Sequence, residues 1–124
     1  DQLVPEIIIN SGIDFKDINT SLYNIIKQME PFGPDNMRSV FNARNVIDAG
    51  FSKVVKDRHL RAVLKQEDII LSGIGFNMAD KFSLLENSKP VDIVFAIDEN
   101  EWQGNTSLQL KIIDLLPASS AQND

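Results

Sequence analysis

The side chains able to do chemistry are few. The chain has one histidine, His59, and no cysteine among its 124 residues, which excludes disulfides and thiolate metal sites and fits a reducing compartment. Its densest acidic cluster is Asp98, Glu99 and Glu101. Phosphodiester hydrolysis by paired metal ions needs several convergent carboxylates, often with histidine, clamping ions about 3.5–4 Å apart. These three acids flank Gly104-Asn105, a hairpin signal, where acids read as a solvated tip rather than as ligands. His59 has no serine or aspartate beside it in a triad-like arrangement, and Asp14-x-x-Asp17 reads as a helix cap. No catalytic constellation and no metal site is expected in this chain.

Binding chemistry is better represented. Formal charge is −6 overall, but it is unevenly spread. Residues 1–35 carry six acids against two lysines (−4), residues 36–66 seven cations against two acids (+5), and residues 67–124 ten acids against three lysines (−7). A basic segment inside an acidic chain can form an electrostatic footprint. Single strands of nucleic acid are held by a basic groove and stacking aromatics. Arg44, Lys53, Lys56, Arg58, His59, Arg61 and Lys65 supply the charge. Strict alternation places His59, Arg61, Val63 and Lys65 on one face of a strand and Leu60, Ala62 and Leu64 on the other. Phe51 and Trp102 are the candidate platforms, and Asn36 and Arg38 stand at the entry to the basic segment. The competing account is a solvated strand with scattered charge, with Phe51 in a core and Trp102 closing a hairpin. With so few cations, affinity for nucleic acid is expected to be weak and strongly salt-dependent.

The elements that must position these groups follow from periodicity. Glu6–Asn10 reads as a strand with no evident partner in the chain, and extended structure is expected to resume at Ile13–Lys16. Ile18, Leu22, Ile25, Ile26 and Met29 follow helical spacing, with Asp17 or Asn19 as N-cap. Glu30-Pro31-Phe32-Gly33-Pro34 ends the helix, because Pro31 lacks an N–H and clashes with the preceding turn. Beyond it the period falls to two. Strands are expected over 40–56 (one long, bent strand), 59–66, 69–76, 91–98 and 108–113. A short helix over about 78–87, capped by Asn77 and with Met78, Phe82 and Leu85 inward, separates the third strand from the fourth. Gly73 and Gly75 share a face and make room for a helix, a barrel corner or a ligand.

Hydrophobic content of 43% is ordinary for a chain that buries a core. Five antiparallel strands with a helix between the third and fourth is the order of an OB-fold, a small Greek-key barrel, here preceded by a strand and an amphipathic helix. The expected class is mainly β with helices (α+β). Residues 1–36 form the strand, helix and Pro/Gly joint, 37–118 the OB domain, and 119–124 a polar tail; a small open β-sandwich is the alternative. A start at Asp1 without methionine reads as a fragment of a longer protein, and no apolar run reaches membrane-span length.

Several motifs together resemble the C-terminal region of the RecJ family of bacterial single-strand-specific 5′→3′ DNA exonucleases. Glu30-Pro31-Phe32-Gly33-Pro34 with Asn36 and Val40-Phe41 is similar to the family's E-P-F-G-x-G-N-P-x-P-V-F stretch. His59-Leu60, Gly73-Ile74-Gly75-Phe76, and Glu101-Trp102-Gln103-Gly104 with Leu108-Gln109-Leu110 and Asp114 resemble further family segments in order and spacing. Asp35 stands where the family has glycine, and Met37 and Ser39 where it has prolines, so the joint is less rigid here.

The resemblance implies an OB module attached to catalytic domains that use manganese or magnesium to hydrolyse single-stranded DNA in recombination and repair, in the bacterial cytoplasm. It implies no cofactor in this chain itself. Expected partners are single-stranded DNA, the catalytic domains of the parent, and a single-strand-binding protein or repair helicase, with no membrane. The alternative function is a protein-interaction or scaffolding module that docks the catalytic core or a repair partner.

Overall fold

The computed structural model describes residues 9–29 and 40–118. Seven strands form one sheet: β1 (Ile9–Gly12), β2 (Val40–Asp48), β3 (Lys53–Val55), β4 (His59–Gln66), β5 (Ile69–Gly75), β6 (Val91–Trp102) and β7 (Asn105–Pro117), in the order β1-β2-β6-β7-β5-β4-β3. A further pairing of β2 with β4, at Ile47↔Lys65 and Asp48↔Leu64, closes five of them into a barrel. β5 runs parallel to β7, and the other barrel pairings are antiparallel. With a helical segment between β5 and β6, this is the OB-fold the strand order implies.

The long first strand expected over 40–56 is divided. β2 and β3 both pair with β4, but Ala49–Ser52 interrupt the ladder. Gly50 takes φ +103 there, a backbone that a Cβ would strain. The Ser52 hydroxyl fills the gap: Oγ accepts the Val63 N–H at 2.9 Å and faces the Val63 carbonyl at 3.4 Å. The Ala49 N–H still reaches the Val63 carbonyl at 2.8 Å, and the Ser52 side chain satisfies the Val63 N–H that the ladder leaves open.

The N-terminal segment differs most from the sequence expectation. β1 has a partner after all, lying parallel to β2 with Ser11↔Phe41 and Gly12↔Asn42. Parallel strands need a crossover, and α1 (Thr20–Met29) lies within it. Phe15–Asp17 form a 3₁₀ turn instead of continuing extended, which carries Phe15 into full burial. Asn19 caps α1, its Oδ1 accepting the Leu22 N–H at 2.9 Å. The helix buries Tyr23 and Ile26 but leaves Ile25 53% exposed, so the apolar stripe is rotated from the one expected. The joint at residues 30–39, Asn36 and Arg38 with it, lies outside the described residues.

The segment expected as a helix from 78 is a 3₁₀ helix, Ala79–Ser88, with extended Glu86 and left-handed Asn87 near its end. Asn77 is not its cap: at φ 60 it is a left-handed turn residue whose N–H goes to His59. Met78 and Leu85 plug this end of the barrel, while Phe15, Ile18, Tyr23 and Ile26 join the core from the N-terminal segment. The Phe15 N–H donates to Gln66 Oε1 (2.7 Å), and Gln66 Nε2 donates to the Arg44 carbonyl (2.8 Å), tying that segment to the β4 end. All these buried residues belong to one cluster with Leu60, Leu64, Val91, Ile93, Phe95, Leu110 and Leu115.

Candidate nucleic-acid interface

Alternation along β4 holds throughout. Leu60, Ala62 and Leu64 are fully buried, Arg61 is exposed, and His59, Val63 and Lys65 are half-buried on the outside. The cause is the pleat: side chains on a strand alternate faces, and the core takes the apolar set. Register then assembles the outer face. Arg61 stands between Lys53 of β3 and Ile74 of β5, and Lys111 of β7 lies beyond Ile74. Lys65 pairs with Ile70, and His59 with Val55 on one side. Lys56 and Arg58 project from the turn joining β3 to β4, where Lys56 and Asp57 both have left-handed φ. Among the described residues, none of Lys53, Lys56, Arg58, Arg61, Lys65 or Lys111 makes an ion pair with another; the ion pair present joins Lys81 to Asp114 at 3.5 Å on another part of the surface.

Two glycines open the inner side of this wall. A Cβ on Gly73 would lie 2.8 Å from the Leu110 carbonyl oxygen, and one on Gly75 would lie 2.7 Å from Met78 Sδ. Their shared face therefore admits strand β7 at Gly73 and, at Gly75, Met78, the residue that leads into the 3₁₀ helix. With the glycines inward, Ile70, Ser72, Ile74 and Phe76 point outward.

Not every candidate joins the face. Arg44 is exposed at the β1–β2 junction, in a depression lined by Gly12, Ile13, Asp14 and Asn42. Phe51 is 70% exposed in the break between β2 and β3, not in the core. Trp102 ends β6 opposite Asn105, and its side chain is outside the described residues. The turn between β6 and β7 is Gln103-Gly104, both with positive φ (51 and 83), one residue earlier than the hairpin signal placed it. Asp98, Glu99 and Glu101 lie on the part of this hairpin that runs past the β2 pairing, with Glu99 and Glu101 exposed.

Two outward residues escaped the sequence reading. Lys111 was visible as the outward member of Leu110-Lys111-Ile112, but only the parallel β5–β7 pairing sets it beside Arg61 and Ile74. Phe76 is 55% exposed with its ring edge-on to His59, centroids 5.3 Å apart at 78°. Its signal was the glycine pair, which fixes the inward set and sends Phe76 outward.

No three His, Asp or Glu side chains among the described residues lie together as a metal site. No helix among the described residues is long and apolar enough to cross a membrane.

A family model described as the RecJ OB domain matches residues 9–114. Among solved structures, RecJ from Thermus thermophilus, in a crystal structure in complex with Mg2+, is similar with a TM-score of 0.52 and 18% identity. That match covers 77% of this chain and 14% of the Thermus chain, and at such identity it bears on the fold alone. No curated protein matches.

Proposed function

This chain belongs to the RecJ OB-domain family, and from that premise we propose that it binds single-stranded DNA and retains it for a 5′→3′ exonuclease acting in recombination and repair. The observation that carries the reading is the outer face of β3, β4 and β5. There Lys53 and Arg61 stand opposite each other on neighbouring strands and Lys65 lies further along β4, beyond Val63, all three unneutralised by acids of the described chain. Phosphate contacts by such cations are sequence-independent and release counterions. Hydrolysis and its metal ions belong, in this reading, to domains other than this one, since the chain spans 14% of the RecJ chain it resembles.

The test is a titration with labelled single-stranded oligonucleotide at low and moderate salt. Binding is expected at low salt, weakening as salt rises, and reduced in Lys53→Ala and Arg61→Ala with the fold intact by circular dichroism. Absence of binding at low salt sinks the reading. A second reading, docking of a protein partner, rests on Ile113 and Leu116, which expose 49% and 42% of their surface on β7. A folded chain that ignores DNA but loses its partner with Ile113→Glu supports that alternative.

A further inference from the structure

We propose that Phe76 is the base-stacking platform of this face and that His59 is its positioning residue; the proposal rests on the DNA-binding reading above. Exposure alone does not make a platform, because single exposed apolar residues are common. Phe76 is distinguished by how it is held. Its ring meets the His59 ring edge-on, 5.3 Å between centroids. His59 is itself fixed, since Nδ1 accepts the Asn77 N–H at 2.9 Å, which places the ring proton on Nε2. Asn77 presents that N–H from a left-handed backbone, φ 60, a conformation asparagine tolerates. Two residues on, the Ala79 N–H donates to the Arg58 carbonyl at 3.0 Å. The backbone just after Phe76 is therefore stitched to the start of β4 at two points, and the exposed ring is pre-organised.

Its surroundings are those of a strand-binding groove. Arg61 pairs with Ile74, two residues before Phe76, which directly follows the end of β5. Lys53 lies beyond Arg61 in the same row, and the cationic turn Lys56-Asp57-Arg58 adjoins His59. A base on the Phe76 face would leave its phosphates within reach of these cations, the combination that holds single strands without sequence preference. A pre-oriented ring binds more tightly than one that must be ordered on contact.

The test measures anisotropy of labelled oligothymidylate with wild type, Phe76→Ala, Phe76→Leu, Phe76→Trp, His59→Ala and the Phe76→Ala/His59→Ala pair, each checked by thermal melt. Phe76→Ala and Phe76→Leu are expected to weaken binding about tenfold, within the range for loss of one base–aromatic stack, with the salt slope unchanged. Phe76→Trp keeps or tightens binding. His59→Ala costs several-fold alone and nothing further in the Phe76→Ala background, the non-additivity expected of a residue acting through another. An abasic oligonucleotide is insensitive to Phe76→Ala but still sensitive to Lys53→Ala. If wild type binds and Phe76→Leu binds equally well, the platform is overturned and the binding reading stands. Additive losses at the two positions overturn the role of His59. Failure of wild type to bind overturns both readings together.

Discussion

Gly73 and Gly75 both face inward, yet they are not equivalent, and the difference is measurable. A methyl group on Gly73 meets the Leu110 backbone carbonyl at 2.8 Å, whereas on Gly75 it meets the Met78 side chain at 2.7 Å. A thioether can rotate away, but a paired strand cannot without breaking its ladder. Gly73→Ala is therefore expected to cost about 2–3 kcal/mol, at the upper end of the usual overpacking cost. Gly75→Ala should cost about 1 kcal/mol, near the lower end of that range. Urea denaturation of both variants decides the matter, and equal losses would contradict it. From the sequence, alternation alone put the two glycines on one face. It did not identify the strand and the methionine that occupy the space, because sheet register and the path of the following turn set those contacts.

At the scale of elements, α1 shows why a helical period leaves a rotation undetermined. An apolar stripe covers an arc of roughly 100° or more, and the spacing of Ile18, Leu22, Ile25 and Ile26 accommodates more than one centre. Tyr23 settled it: the ring is buried, with Lys27 Nζ 5.9 Å from its centroid, and Ile25 turns out to solvent. Ile26→Ala is expected to destabilise by about 2–4 kcal/mol, as a buried truncation does. Ile25→Ala should remain within about 0.5 kcal/mol of wild type, as surface changes do. Chemical denaturation that reversed this order would return the helix to the sequence-expected face. The break between β2 and β3 is a similar case. Glycine announced a bend, but the return of the ladder through the Ser52 hydroxyl depended on Val63, 11 residues away.

For the whole molecule, the core of the barrel is completed by the segment that precedes it in the chain. Phe15 enters from the N-terminal 3₁₀ turn and is fully buried. Phe15→Ala is expected to cost about 3–5 kcal/mol, the usual range for a lost core phenylalanine, and thermal melting of the variant checks this. The basic face is also a property of the assembled molecule. If Lys53 and Arg61 each neutralise one phosphate, removing both should flatten the slope of log affinity against log salt by about 1.4, at roughly 0.7 per single-strand contact. An unchanged slope in the double alanine variant would show that these cations do not touch DNA.

The sequence by itself determined which residues alternate and that five strands with an intervening helix make an OB barrel. These depend on local period and on glycine chemistry, which act over a few residues. It also brought His59, Arg61 and Lys65 to one strand face, because alternation needs no partner. Only the tertiary structure decided that β1 pairs with β2, that Lys111 and Lys53 flank Arg61 and Ile74, and that Phe76 is held against His59. Each of these is a pairing between distant segments, set by sheet register and barrel closure, which the spacing within one strand does not encode.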